Sequence, residues 1–168
     1  MRTDRLLIKP ITKEDEFPFI TGIADRSLCS AYGFPVDMDT STARKIFDHF
    51  LSMNSAYSLI LKNAGTMAGF LLDVLPELPE DIASGLPGSG RTLAYSVFSK
   101  YQRQGYMEEA LRTYIPSVKT DYIHCGHFPE NAPGKNLLQK LGFREWSRHQ
   151  MGSRTIVDEI LCPVLLKS

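Results

Sequence analysis

The chain has 168 residues, and its 19 Lys and Arg are balanced by 19 Asp and Glu. A length in this range suits one compact domain, residues 1–168, which buries roughly 70 % of its unfolded surface without a staple of disulfides or metal. The 43 % hydrophobic and 23 % charged fractions exclude a disordered chain, and the zero balance argues against a general nucleic-acid binder, whose affinity comes from clustered Lys and Arg neutralising phosphates.

Cys29, Cys125 and Cys162 are odd in number and widely spaced, with no Cys-x-x-Cys pair to signal a disulfide framework or a zinc site. They read as small buried hydrophobes in a reducing compartment. Met1-Arg2-Thr3-Asp4-Arg5 leads into a short apolar stretch broken by Lys9 and Pro10, which is not the pattern of a signal peptide. The longest apolar run, Met67 to Leu75, contains Asp73 and falls short of the roughly 18 residues that span a bilayer. The expectation is a cytoplasmic protein with no metal, no membrane partner and no nucleic-acid partner, either a monomer or a homodimer.

Arg5 to Lys9 reads as a first strand ending at Pro10. Thr12 with Asp15 three residues on resembles a capping box and predicts a helix whose first turns Pro18 disturbs. Asp39 caps a clearer helix, with Ala43, Ile46, Phe47, Phe50 and Leu51 along one stripe. Tyr57 to Lys62 and Thr66 to Leu75 are strands joined across Asn63-Ala64-Gly65. A Pro-, Gly- and acid-rich loop, Pro76 to Gly90, leads to a strand from Leu93 to Phe98. After Gly105 the period becomes helical, with Met107, Ala110, Leu111, Tyr114, Ile115 and Val118 on one face and Pro116 near the end. Tyr122 to Phe128 is a strand. Asn131 and Pro133 open a helix whose Leu137, Leu138 and Leu141 face the core and which Gly142 stops. A hairpin, Phe143 to His149 and Arg154 to Cys162, closes the chain. The order β, α, α, β, β, β, α, β, α, β, β predicts a mixed α/β sheet covered by helices.

Two loops are candidates for holding phosphate. Gly85-Leu-Pro-Gly-Ser-Gly90-Arg91-Thr92 matches G-x-x-x-x-G-K-[ST] apart from Arg91. A nucleotide loop of that kind needs a following helix, whereas Leu93 to Phe98 alternates as a strand, so a plain connection is expected. Gln102-Arg103-Gln104-Gly105-Tyr106-Met107 has the right setting, between a strand and a helix. Successive N–H groups, the helix start and a glycine that permits close approach favour an anion there, and Arg103 adds a charge-assisted contact.

With these residues in place, the sequence resembles the GNAT superfamily of acyl-CoA-dependent N-acetyltransferases, and more narrowly the branch that acetylates the N-termini of ribosomal proteins. Thr3-Asp-Arg-Leu-Leu-Ile-Lys-Pro10 with Glu14-Asp15 resembles the family opening, and Gly65-Thr-Met-Ala-Gly-Phe70 the hairpin into its third strand. Ala94-Tyr-Ser-Val-Phe98 followed by Tyr101-Gln-Arg-Gln-Gly-Tyr-Met-Glu-Glu-Ala-Leu111 resembles its fourth strand, pyrophosphate loop and helix. Pro129-Glu-Asn131 with Leu137-Leu-Gln-Lys-Leu-Gly-Phe143 resembles its second signature. The resemblance implies a mostly antiparallel sheet of about seven strands flanked by about four helices. Four positions depart from the family: Arg103 stands where members of this branch often carry glycine, Met107 where a small residue is usual, Gly134 where serine is common, and Leu138 where many members place a general-acid tyrosine. Met107 either narrows the diphosphate site or turns into the core. A thiol with a pKa near 8.5 leaves without obligatory protonation, so Leu138 does not exclude catalysis.

The implied reaction is attack of a neutral primary amine on the thioester of acetyl-CoA in a ternary complex, forming an oxyanion that wants backbone donors. By the resemblance, Val97 and Phe98 hold the acetyl carbonyl and pantetheine arm, and the Gln102–Met107 loop holds the pyrophosphate. Asn131 contacts the pantetheine or a water and Lys135 meets a CoA phosphate; a helix N-cap explains Asn131 equally well. His127, at the end of its strand, is the candidate base, with a reference pKa near 6.5, against a structural reading that also fits His124. Glu77, with Glu80 and Asp81, can attract a cationic amine, and Tyr95 and Trp146 pack in the core or line the cleft. The acceptor class is open among protein N-termini, lysines, polyamines, amino sugars and antibiotics. A non-catalytic acyl-CoA sensor on the same fold is the alternative, and a nucleotide module using Gly85–Thr92 a third.

Overall fold

Asp39 accepts the Thr42 N–H at 2.6 Å, and the thirteen residues after it are helical, as a carboxylate at the N-cap position favours. This is α3, Thr40–Ser52, in a computed structural model that describes residues 1–162. Before it come β1 (Leu6–Pro10), α1 (Glu16–Ile23) and α2 (Arg26–Tyr32); after it β2 (Ala56–Leu61), β3 (Met67–Val74), α4 (Glu80–Ala83), β4 (Gly90–Val97), α5 (Tyr106–Tyr114), β5 (Tyr122–His127), α6 (Ala132–Lys140), β6 (Arg144–Met151) and β7 (Arg154–Leu161). The strands form one sheet in the order β1-β2-β3-β4-β5-β7-β6. It is mostly antiparallel; β4 and β5 pair in parallel over Gly90–Thr92 and Tyr122–His124.

Most elements lie where their periodicity put them. The Asp15 carboxylate accepts the Thr12 N–H at 2.9 Å as a capping box requires, but the turn it begins, Lys13–Asp15, is 3-10, and the α-helix follows it. Pro18 falls within the first turn of α1, where its missing N–H costs nothing. Two helices lie outside the predicted elements, because both are shorter than the apolar repeat that reveals a helix. For α2 the local signals exist: Asp25 accepts the Leu28 N–H at 3.0 Å, and left-handed Gly33 ends the helix. The other, α4, is four residues inside the loop after β3. Of the leucines expected to face the core from α6, only Leu138 is fully buried; Leu137 and Leu141 are half-exposed.

Two compact units result among the described residues, Met1–Leu72 with Tyr95–Pro116, and Asp73–Ala94 with residues 117–162. In the first, the rings of Phe19, Phe47, Phe50 and Phe70 meet at centroid distances of 5.2 to 5.6 Å. Phe98 packs against Phe70 at 6.5 Å, so the end of β4 is anchored in this aromatic core.

The second unit has a polar row instead. Asp158 and Glu159 are adjacent on β7 and both fully buried, so their side chains lie on opposite faces of the sheet. Asp158 Oδ1 accepts from His124 Nε2 at 3.1 Å, and its Oδ2 accepts from His149 Nδ1 at 2.9 Å and Ser147 Oγ at 2.7 Å. Thr92 Oγ1 lies 2.9 Å from His124 Nδ1, extending the row to β4. Burial pushes the Asp158 carboxyl up, but the donors from His124, His149 and Ser147 outweigh it and hold the group below the usual carboxylate range. Its contribution to stability is therefore present above the ordinary value of 3.8 and is lost as the pH falls through the lower folded value. Asp158→Asn is expected to cost roughly 3 kcal/mol at neutral pH, measured by urea unfolding. The difference from wild type should shrink on acidification; a pH-independent difference would refute the assignment of the charge to Asp158.

Candidate functional site

Residues point their peptide groups alternately to the two edges of a strand. The Phe98 N–H donates to Ala68 O on β3 at 2.9 Å, so Val97 turns its N–H and C=O to the opposite edge of β4. There the Val97 carbonyl accepts from Gln102 Nε2 at 3.0 Å. The Phe98 carbonyl accepts the Tyr101 N–H at 2.8 Å, closing a 3-10 turn over Ser99–Tyr101. Both peptide groups of Phe98 are thus engaged, and Val97 presents the remaining N–H.

Eight residues, Phe98 to Gly105, turn β4 into α5. Among the described residues Arg103 is the one non-glycine with positive φ, at 59°, and Gly105 follows at 77°. Left-handed residues alternating with ordinary ones fold successive N–H groups toward one concavity, a nest that receives an anion. The N–H groups of Tyr106 and Met107, in the first turn of α5, have no acceptor within the helix, and the helix dipole adds partial positive charge there. Met107 is buried, which settles its alternatives: the side chain packs in the core. Arg103 stands where the related branch often carries glycine, and its φ gives the reason.

A side-chain clasp holds this loop from behind. Arg5 Nε donates to Glu109 Oε2 at 2.6 Å, Arg5 Nη1 donates to Gln104 O at 2.8 Å, and the guanidinium lies 4.5 Å from the Tyr106 ring centroid. Glu109 Oε1 accepts the Arg5 N–H at 2.8 Å and the Thr3 hydroxyl. Burial raises the Glu109 carboxyl, and the hydrogen bonds from Thr3 and Arg5 more than reverse it, leaving it below the usual range. In the sequence Arg5 belongs only to a family-like opening; its contact lies 104 residues away, beyond any periodicity.

The other candidate residues belong to the second unit, except half-buried Tyr95. His127 is buried, its Nδ1–H donating to Phe128 O at 2.9 Å and its Nε2 3.3 Å from Glu159 Oε1. Both ring nitrogens are engaged, while Glu159 Oε2 has no partner. Asn131 Oδ1 accepts the Gly134 N–H at 3.0 Å, as an N-cap does. A Cβ at Gly134 would lie 2.8 Å from Asn131 Nδ2, so the glycine makes room for this rotamer. Lys135 is half-buried in the next turn, Glu77 is exposed, and Leu138 is buried at 1 % exposure, offering no hydroxyl. Trp146 is 40 % exposed and lies over Gly85. The Gly85–Thr92 stretch runs directly into β4, without the helix a nucleotide loop needs, and Arg91 pairs with Asp73. Among the described residues no group of three or more His, Cys, Asp or Glu is arranged to hold a metal ion, and no helix is long and apolar enough to cross a membrane.

A strand that turns through a nest into a helix, on a seven-stranded mixed sheet, is an architecture that this chain shares with known acetyltransferases. The family model described as Acetyltransferase (GNAT) domain matches residues 5–144, and the chain belongs to this family. Solved structures share the fold. A GNAT-family acetyltransferase from Bacillus anthracis is 16 % identical, with a TM-score of 0.77 over 96 % of this chain and 97 % of that one. The ribosomal-protein-S5-alanine acetyltransferase of Vibrio fischeri is 13 % identical, with a TM-score of 0.71 over 96 % and 95 %. An acetyltransferase of Agrobacterium tumefaciens str. C58 is 17 % identical, with a TM-score of 0.69 over 96 % and 92 %. No curated protein sequence matches the chain.

The left-handed Arg103 yields a direct test of the loop. Arg103→Gly is expected to be more stable than Arg103→Ala by about 1 kcal/mol, or roughly 2–4 °C in Tm. Equal Tm values for the two variants would show that the loop does not hold this conformation.

Proposed function

We propose that the chain is an N-acetyltransferase that moves the acetyl group of acetyl-CoA to a primary amine by direct attack in a ternary complex, the whole chain acting as one domain. The observation that carries this is the Gln102–Met107 nest at the start of α5, with Arg103 and Gly105 left-handed. The family match, which runs through both compact units, supports it. Acetyl-CoA supplies an activated acyl group, and the residues present fit its diphosphate: amides of Gly105, Tyr106 and Met107 donate, with Arg103 beside them. The Val97 N–H is the donor for the acetyl carbonyl. Gln102, by holding the Val97 carbonyl, fixes the Val97–Phe98 peptide next to that donor, and Phe98 contributes through its buried ring rather than its peptide groups. Asn131 and Lys135 remain candidates for the pantetheine and a phosphate.

For the proton of the amine, His127 as the strand-end base would have to leave Phe128 O or Glu159, since both ring nitrogens are engaged. Glu77 and Tyr95 would meet the acceptor, which we place among protein N-termini and small-molecule amines; the ribosomal-protein-S5-alanine acetyltransferase of the same fold favours the former. A reducing, cytoplasmic setting agrees with Cys29, Cys125 and Cys162, all buried and unpaired. The engaged His127 and the buried Leu138 favour a second reading, an acyl-CoA sensor without turnover. Thiol release from acetyl-CoA over a panel of amines and N-terminal peptides separates the two. Amine-dependent release is expected, and binding with no release for any amine would establish the sensor.

A further inference from the structure

Two acidic residues, Glu108 and Glu109, stand in the first turn of α5. In a helix that presents its N-terminus to an anion, a nearby carboxylate competes for the same N–H groups and repels the ligand. Each acid is matched by a guanidinium: Arg112 Nη2 lies 2.9 Å from Glu108 Oε1, and Arg5 Nε 2.6 Å from Glu109 Oε2. The two pairs differ. Arg112 is four residues along the same helix, its Nε and Nη2 donating to Glu108 Oε1 at 3.2 and 2.9 Å. Arg5 comes from the segment before β1 and reaches the loop itself, at Gln104 O.

That second contact has a mechanical consequence. The peptide between Gln104 and Gly105 is planar and trans, so its C=O and N–H point in opposite directions. By drawing Gln104 O toward itself, Arg5 turns the Gly105 N–H away from its own guanidinium. Left-handed Gly105 permits this peptide orientation, and Arg5 Nη2 would lie 3.5 Å from a Cβ placed there. The Tyr106 ring, 4.5 Å from the guanidinium carbon, limits its sideways movement.

We propose that Arg5 is a positioning residue of the anion-binding loop: it fixes the Gln104–Gly105 peptide so that the Gly105 N–H faces the ligand, and it neutralises Glu109 so that this carboxylate does not oppose the incoming phosphates. The assignment rests on the reading of this loop as the diphosphate site of acetyl-CoA. It makes the opening Thr3–Arg5 segment part of the cofactor site without contact to the cofactor, because Thr3 and the Arg5 N–H fasten the same Glu109 carboxylate.

Calorimetric titration of CoA and of dephospho-CoA into the full chain tests it, using wild type, Arg5→Ala, Arg5→Lys, Glu109→Gln and the Arg5→Ala/Glu109→Gln double variant. Arg5→Ala is expected to weaken CoA about tenfold, the effect of one charge-assisted hydrogen bond, and dephospho-CoA by the same factor. Arg5→Lys keeps the charge but cannot hold Glu109 and Gln104 O together, so it should recover part of the loss. If Arg5→Ala does not fold, the Lys variant carries the comparison. The loss from Arg5→Ala should be smaller in the Glu109→Gln background, since no carboxylate is left to unmask; a role of Arg5 independent of Glu109 predicts an equal loss there. Wild type that binds CoA with Arg5 variants that bind equally well overturns the role of Arg5 alone. A loss confined to CoA would place Arg5 at the 3′-phosphate and also overturn it. Wild type that fails to bind CoA overturns the site and this inference with it.

Discussion

The proposed function depends on one constraint, the turn from β4 into α5. Within it the backbone becomes left-handed at Arg103 and again at Gly105. An arginine held there costs about 1 kcal/mol relative to glycine, so the surrounding contacts must over-determine the path. They do so at three points. Phe98 sits in the aromatic core, Gln102 bonds back to Val97 O, and Arg5 holds Gln104 O. Strand, loop and helix are thereby set relative to one another before any ligand arrives, which is what a site of backbone donors needs to avoid ordering costs on binding.

The two compact units keep their interiors by different physics. The first is an aromatic cluster, and non-directional apolar burial tolerates its tilted and edge-on rings. The second buries two acids in succession on one strand, and each survives only with partners. Asp158 has three donors. Glu159 has the His127 contact and an oxygen without a partner, so it is the less satisfied of the two. The Cys125 thiol, buried on β5 beside these groups, is pushed far up by burial and behaves as a small hydrophobe.

How much of this was legible in the sequence depends on the range of the interaction. Local signals read well: Asp39 before its helix, Gly65 in the hairpin, Gly105 before α5 and Asn131 before α6 all take the positions their chemistry favours. Met107, Ala110, Leu111 and Tyr114 of the predicted stripe are all buried, and it is the burial, not the stripe, that decides between the two readings of Met107. Seven strands in a mixed sheet followed from the same periodicities and from the family likeness. Long-range polar partners did not. Asp158-Glu159 reads as a solvated pair in any hydropathy pattern, and only the insertion of β7 between β5 and β6 brings three histidines to them. Arg5 was invisible for the same reason. The short helix α2 had a cap and a left-handed glycine but too few residues to show a repeat.

In the proposed function, backbone amides around Gly105 hold the diphosphate of acetyl-CoA. Titration of acetyl-CoA into wild type and Gly105→Glu tests it most directly, because a glutamate there must adopt a left-handed φ and brings a carboxylate beside the donors. Wild type is expected to bind at micromolar concentration, by about 8 kcal/mol, and the variant not to bind while remaining folded. Equal affinity for the two proteins would contradict the account.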